Sequence, residues 1–157
     1  MSAERIPERN QIPVEYTWNL ADIFESDEAW SEEYAQLKTL PEKISAYAGK
    51  LGENAETLLE YFRLEDEVSV RLEKFFSYAN CKSDEDTALG QYQDMKSKAT
   101  ACYVSIAGAC AFAAPEIMAI PDETLEGFYK TCPQLEEYRR ALYRIRRRAA
   151  HILSPAE

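Results

Sequence analysis

Apolar residues recur along most of this chain at spacings of three and four, the period of a helix with one buried face. In "NAETLLEYFRLEDEVSVRLEKFFSYANCKSDED" the positions Leu58, Phe62, Val68, Leu72, Phe75, Phe76 and Ala79 keep that period. Asn54 precedes them, where a side-chain oxygen caps a free backbone N–H. The pattern predicts a helix over 55–82, a rod of roughly 40 Å. A second stretch, "SDEDTALGQYQDMKSKATACYVSIAGACAFAAP", predicts a helix over 86–113. Leu89, Tyr92, Ala99, Tyr103, Ile106, Cys110 and Ala113 form its inner stripe, with Asp84 or Asp86 as its cap. The two helices are the arms of an antiparallel hairpin. The later half of the second arm, "ATACYVSIAGACAFAA", is mostly small side chains. These allow neighbouring backbones to approach, with Gly108 at a helix contact, and predict burial on several sides.

Shorter helices flank the hairpin. In "SDEAWSEEYAQLKTL" Ser26 is the cap, and Asp27 and Glu28 sit in the first turn, where the helix dipole favours negative charge. Trp30, Tyr34 and Leu37 share one face, and Pro41 breaks or kinks the helix. A short continuation ends at Gly49 and Gly52. After Pro115 and Pro121, "DETLEGFYKTC" reads as a helix capped by Asp122. "PQLEEYRRALYRIRRRAAHIL" reads as another, with Pro133 at its first position and Leu135, Tyr138, Leu142, Ile145 and Ala149 facing inward. Residues 1–25 read as an extended strap anchored by Trp18, Leu20 and Phe24, with disorder as the rival for 1–12. The expected architecture is all-α: a helical domain over 26–153 built around a long antiparallel hairpin, with an irregular N-terminal strap. At the end, "HILSPAE" places Ser154, Pro155 and Glu157 at the N-cap, first and third positions of one more helix.

Composition agrees with this reading. The chain has 157 residues, enough for a real core, and only 5 Gly and 7 Pro, too few for the many turns of an all-β fold. The net charge is −10, unevenly spread. Residues 1–137 carry 12 Lys/Arg against 27 Asp/Glu, whereas 138–157 carry 6 Arg against 1 Glu. An acidic body argues against nucleic acid as a partner. No run is read as apolar enough to cross a membrane, and "MSAERIPERN" lacks the apolar stretch of a signal peptide. The expected location is the cytoplasm. Cys81, Cys102, Cys110 and Cys132 form no CxxC pair and read as reduced packing residues.

Catalytic patterns are missing. There is no HExxH, GxSxG, GxxxxGK[ST] or GxGxxG, and His151 is the one histidine. No catalytic residue, metal ligand or cofactor is assigned to this segment. The acidic runs at 65–67 and 84–86 read as solvated or capping residues. Arg139, Arg140, Arg144, Arg146, Arg147 and Arg148 crowd one helix. Arg140, Arg144 and Arg147 or Arg148 follow one stripe, expected to pair with acidic helices of the same domain. Arg139 and Arg146 lie off that stripe and are assigned to an interdomain contact.

Two stretches carry a family resemblance. "RNQIPVEYTWNLADIFESDEAWSEEYAQL" resembles the start of oligoendopeptidase F-type metallopeptidases, relatives of thimet oligopeptidase, at Arg9, Ile12, Pro13, Trp18, Leu20, Phe24 and Trp30. Asn19 stands where Asp is more usual. "YRRALYRIRRRAAHILSPAE" resembles the family's R-x-x-x-H-x-L-S-x-x-x-E segment at Arg147, His151, Leu153 and Ser154. "FFSYANCKSDEDTALGQYQ" is similar to the family's Tyr-Ala and Asp preceding a long helix. The resemblance implies the N-terminal helical domain of a longer protein, with 154–157 as the truncated start of its next helix. It implies a zinc site, HExxH plus a distant Glu, in a C-terminal catalytic domain of the same chain. The helices read here would form a wall and hinged lid of a channel admitting short peptides. An acidic wall would favour basic or neutral ones. The alternative is a free-standing acidic helical module that docks onto other proteins.

Overall fold

Each helix expected within the described residues has a physical counterpart, with shifted boundaries. The structure, a computed structural model, describes Pro7 and residues 9–148. Ala149, His151, Leu153 and residues 154–157 lie outside the described residues. Three short 3-10 turns, Arg9–Gln11, Val14–Tyr16 and Leu20–Asp22, precede the first helix. The helices are α1 (Asp27–Leu37), α2 (Leu40–Ser45), α3 (Ala55–Glu85), α4 (Gly90–Cys110), α5 (Ala113–Ala119), α6 (Asp122–Thr131) and α7 (Arg139–Arg146). A 3-10 segment, Pro133–Tyr138, leads into α7. There is no strand among the described residues, so the class is all-α.

Local chemistry explains most boundaries. Ser26 Oγ accepts from the Ala29 N–H at 3.2 Å and Asn54 Oδ1 from the Thr57 N–H at 2.8 Å, so both expected caps form. As expected, the first helix stops ahead of Pro41: α1 ends at Leu37, whose carbonyl the ring would crowd, and Pro41 itself sits in the first turn of α2, where a missing N–H costs nothing. Asp86 does not cap α4; its carboxylate accepts from the Ala88 N–H at 3.0 Å and holds the turn before Gly90. The second arm is therefore shorter than expected at its start. It is shorter at its end as well, because the Pro115 ring crowds the carbonyl four residues back and ends α4 at Cys110. Asp122 is the first residue of α6 rather than its cap, with Pro121 before it. The expected helix from Pro133 divides into the 3-10 segment and α7.

The chain forms two compact units. One comprises the described residues up to Lys38 with Arg71–Val104. Its core stacks three rings: Trp30 on Phe75 at 4.4 Å, with Tyr34 beside both. Arg71 donates to both oxygens of Glu33, at 2.7 and 3.1 Å. The Asp27 carboxylate accepts from the Tyr78 hydroxyl at 2.7 Å and the Lys82 ammonium at 3.2 Å. Here α3 and α4 run antiparallel, with Gln93 donating to Ser83 Oγ and Phe76 packed against Tyr103.

The other unit comprises Thr39–Val70 and the described residues from Ser105 onward. Leu40, Ile44, Leu51, Leu58, Tyr61, Phe62, Ile106, Ile117, Leu125, Leu135 and Leu142 are among its buried side chains. Gly49 has φ +80°, a left-handed turn that glycine adopts without cost. The Glu116 carboxylate accepts from the Gly49 and Leu51 N–H groups and pins that turn to α5.

The α4 stripe needs correction. Met95, Ala99, Cys102 and Ile106 are buried, whereas Leu89 and Tyr103 are exposed. The small-residue half is not buried on several sides: Val104 is 64% exposed, and Ala101, Ser105, Ala107 and Gly108 also face outward. Small side chains permit close packing but do not supply a neighbour on every side. The stretch Gly90–Ala119 also reaches a mean hydropathy of 1.5 over an 18-residue window, with 22% of that window buried. By length and composition alone it is long and apolar enough to cross a membrane, contrary to the expectation above.

Candidate interaction surface around the arginine helix

The helix α7 is held by Leu142, which is fully buried, and by two arginines that reach in different directions. Arg146 extends to the end of α5 and donates to the carbonyls of Ile117 and Ile120 and to the Asp122 carboxylate. A cation at the last carbonyls of a helix satisfies orphan acceptors and complements the dipole. Arg139 grips Glu136 through two N–H groups at 2.7 and 2.8 Å, and reaches Glu126 at 3.0 Å. Its guanidinium also lies 3.9 Å above the Tyr129 ring. The hydrogen bond from Arg139 holds the Glu136 carboxyl below the usual carboxylate range. Just before α7, the Tyr138 ring stacks on Phe62 at 4.7 Å and its hydroxyl donates to Asp66 at 2.6 Å. That bond to a carboxylate pushes the Tyr138 hydroxyl up to about 12.

Within the described residues the pairing of the arginines differs from the one their spacing suggested. Arg139 and Arg146, assigned to an outward contact, pair inside their own unit. Arg140, Arg144, Arg147 and Arg148, assigned to inward pairing, are exposed and make no ion pair among the described residues. The periodicity separated the two groups but not their directions, because both flank the buried Leu142. Tyr143, 65% exposed, lies among the unpaired arginines and carried no signal in the sequence reading. A groove of about 860 Å³ between α6 and α7 adjoins this face, lined by Leu125, Tyr129, Arg139, Arg140, Tyr143 and Arg147 among others.

In the N-terminal strap, Leu20 is buried, and Phe24 packs edge-on against Tyr78 at 5.4 Å. Trp18 is 57% exposed.

A second titratable cluster lies beneath the surface. Tyr61 is 1% exposed, and its hydroxyl makes no hydrogen bond of ordinary geometry; its polar neighbour is the Cys110 thiol, a weak partner. Burial pushes Tyr61 up, and burial followed by the Asp66 charge pushes the Glu65 carboxyl up. Cys110 beside them is raised by burial and then by Glu65. A thiol raised in this way is a poor nucleophile, so the cluster reads as structural. Cys102 and Cys81 are raised for the same first reason, and all four cysteines are free. Among the described residues no three His, Cys, Asp or Glu side chains converge on a metal position. These residues do not fit the zinc ion that the resemblance implies.

Comparison with known proteins places the chain. A family model described as Oligopeptidase F matches residues 116–157. The chain is 37% identical over 155 residues to "Oligopeptidase PepF" of Bacillus subtilis (strain 168), covering 99% of this chain and 23% of that protein. It is 32% identical over 149 residues to "Group B oligopeptidase PepB" of Streptococcus agalactiae serotype III (strain NEM316), covering 95% and 25%. The crystal structure of oligoendopeptidase-F from Enterococcus faecium matches with a TM-score of 0.72 at 28% identity, covering 82% of this chain and 26% of that one. The chain spans about a quarter of the length of the curated relatives it matches.

Proposed function

This chain belongs to the oligoendopeptidase F family and corresponds to its N-terminal domain, and from that premise we propose that it is the non-catalytic wall and lid of an oligopeptidase channel. The observation that carries the reading is the 37% identity across 99% of this chain to a protein named as an oligopeptidase. The parent protein, on this reading, hydrolyses short peptides at a zinc site held in a C-terminal catalytic part. The helices described here supply the wall that limits what enters. An all-α wall suits that task, because folded proteins cannot enter a narrow channel whereas short extended peptides can. Its net charge of −10 favours basic or neutral peptides by steering, an effect that weakens with ionic strength.

The test uses the full-length protein. One recognition sequence is presented in three forms: a short peptide, a long unfolded chain, and an exposed loop of a folded protein. The expected result is efficient cleavage of the short peptide and none of the folded substrate. Comparable kcat/KM for all three, or no peptidase activity, overturns the reading.

A further inference from the structure

We propose that the exposed ridge formed by Arg140, Tyr143 and Arg144 on α7 and by Arg147 at its C-cap is the seat of an acidic segment from the catalytic part of the same polypeptide. This rests on the reading above that such a part exists. The four residues follow i, i+3, i+4, i+7 spacing and so share one helix face. All four are exposed, and none has a side-chain hydrogen bond or ion pair among the described residues.

The nearby carboxylates do not serve this ridge. Glu136 and Glu126 are held by Arg139, and Asp122 by Arg146. Glu137 lines the adjoining groove, and Glu65 and Asp66 share with Arg144 the hollow on the other side of α7; Asp66 accepts from the Tyr138 hydroxyl, and none of the three is ion-paired to the ridge. Like charges at 140 and 144, and at 144 and 147, oppose the helix that carries them. An acidic partner removes that repulsion. Guanidinium forks match carboxylates bidentately, and exposed Tyr set among Arg is the composition of an interface anchor. The groove beside the ridge, about 860 Å³, leaves room for side chains of the arriving segment.

Charge selects the class of occupant. A chain at −10 repels polyanionic nucleic acid. A second copy of this acidic chain is a competitor for a cationic face, but a tethered segment meets the ridge at an effective concentration on the order of millimolar. About three quarters of the length of the relatives lies outside the span matched here, which is ample chain to supply it.

The experiment is zero-length carbodiimide coupling in the full-length protein, which joins lysine to a carboxylate in direct contact. Arg140→Lys and Arg144→Lys are made singly, and the coupled peptides are mapped by mass spectrometry. Lys98 and Asp94, 2.6 Å apart, are the built-in control. The expected result is coupling from position 140 or 144 to an Asp or Glu outside residues 1–157 of the same molecule. Coupling between two molecules, coupling only within 1–157, or none while Lys98–Asp94 forms, overturns the proposal. Coupling reads contact and needs no turnover. A protein that couples as expected yet cleaves nothing defeats the functional reading and leaves the contact standing.

Discussion

The Trp30 indole lies flat on the Phe75 ring, 4.4 Å between centroids and 5° from parallel, while its Nε1–H donates to the Phe75 carbonyl at 2.9 Å. One residue therefore fixes both the separation and the rotation of α1 against α3. Trp30→Phe keeps a ring but loses the donor, and is expected to cost about 1–3 kcal/mol. Trp30→Ala also leaves a cavity and is expected to cost about 3–5 kcal/mol. Urea unfolding followed by far-ultraviolet circular dichroism measures both. Equal midpoints for wild type and Trp30→Ala contradict this assignment of the core.

The arginines of α7 divide by partner. Arg146 holds two carbonyls and a carboxylate with a side chain only 19% exposed. Arg146→Gln is expected to destabilise by about 1–3 kcal/mol, since bonds to charged groups are the strong ones. Arg144→Gln is expected to change stability by less than about 0.5 kcal/mol, as surface changes usually do. Parallel urea titrations decide. A larger loss for Arg144→Gln overturns the division.

Tyr61 carries a buried hydroxyl with no partner of ordinary hydrogen-bond geometry, beside the weakly accepting Cys110 thiol. An unsatisfied buried donor costs about 1–3 kcal/mol, so Tyr61→Phe is expected to be neutral or stabilising by up to about that amount. The ring contacts with Tyr47, Phe62 and Phe112 are retained by Phe. A thermal midpoint lowered by several degrees would mean that the hydroxyl is bonded in solution.

Glu65 gives a pH signature. Its carboxyl is raised by burial and by Asp66, so between its unfolded and folded values the native state binds more protons than the unfolded one. Its contribution is fully present below the unfolded value, near 4.5, and is lost as pH rises through the folded value. Glu65→Gln is expected to raise stability relative to wild type at neutral pH, with the advantage shrinking as pH falls toward that range. Denaturant midpoints across that interval measure it. An advantage that grows on acidification refutes the sign.

Periodicity and capping chemistry determined much of this protein on their own. Ser26 and Asn54 cap the helices they were expected to cap, and Leu58, Phe62, Val68, Leu72, Phe75 and Ala79 are buried as their spacing requires. These features are local: a cap needs a donor three residues away, and a stripe needs only the helical repeat. Family membership was legible for a similar reason, since its motifs are short runs read in order. Tertiary structure alone decided which arginines turn inward. Arg139 finds Glu126 thirteen residues away, and Arg146 finds Ile117 twenty-nine residues away, and no spacing rule within α7 points to either. It also decided that Ala101, Ser105, Ala107 and Gly108 of α4 face outward. Helical spacing says which side chains share a face, but a face is buried only where another element arrives to cover it.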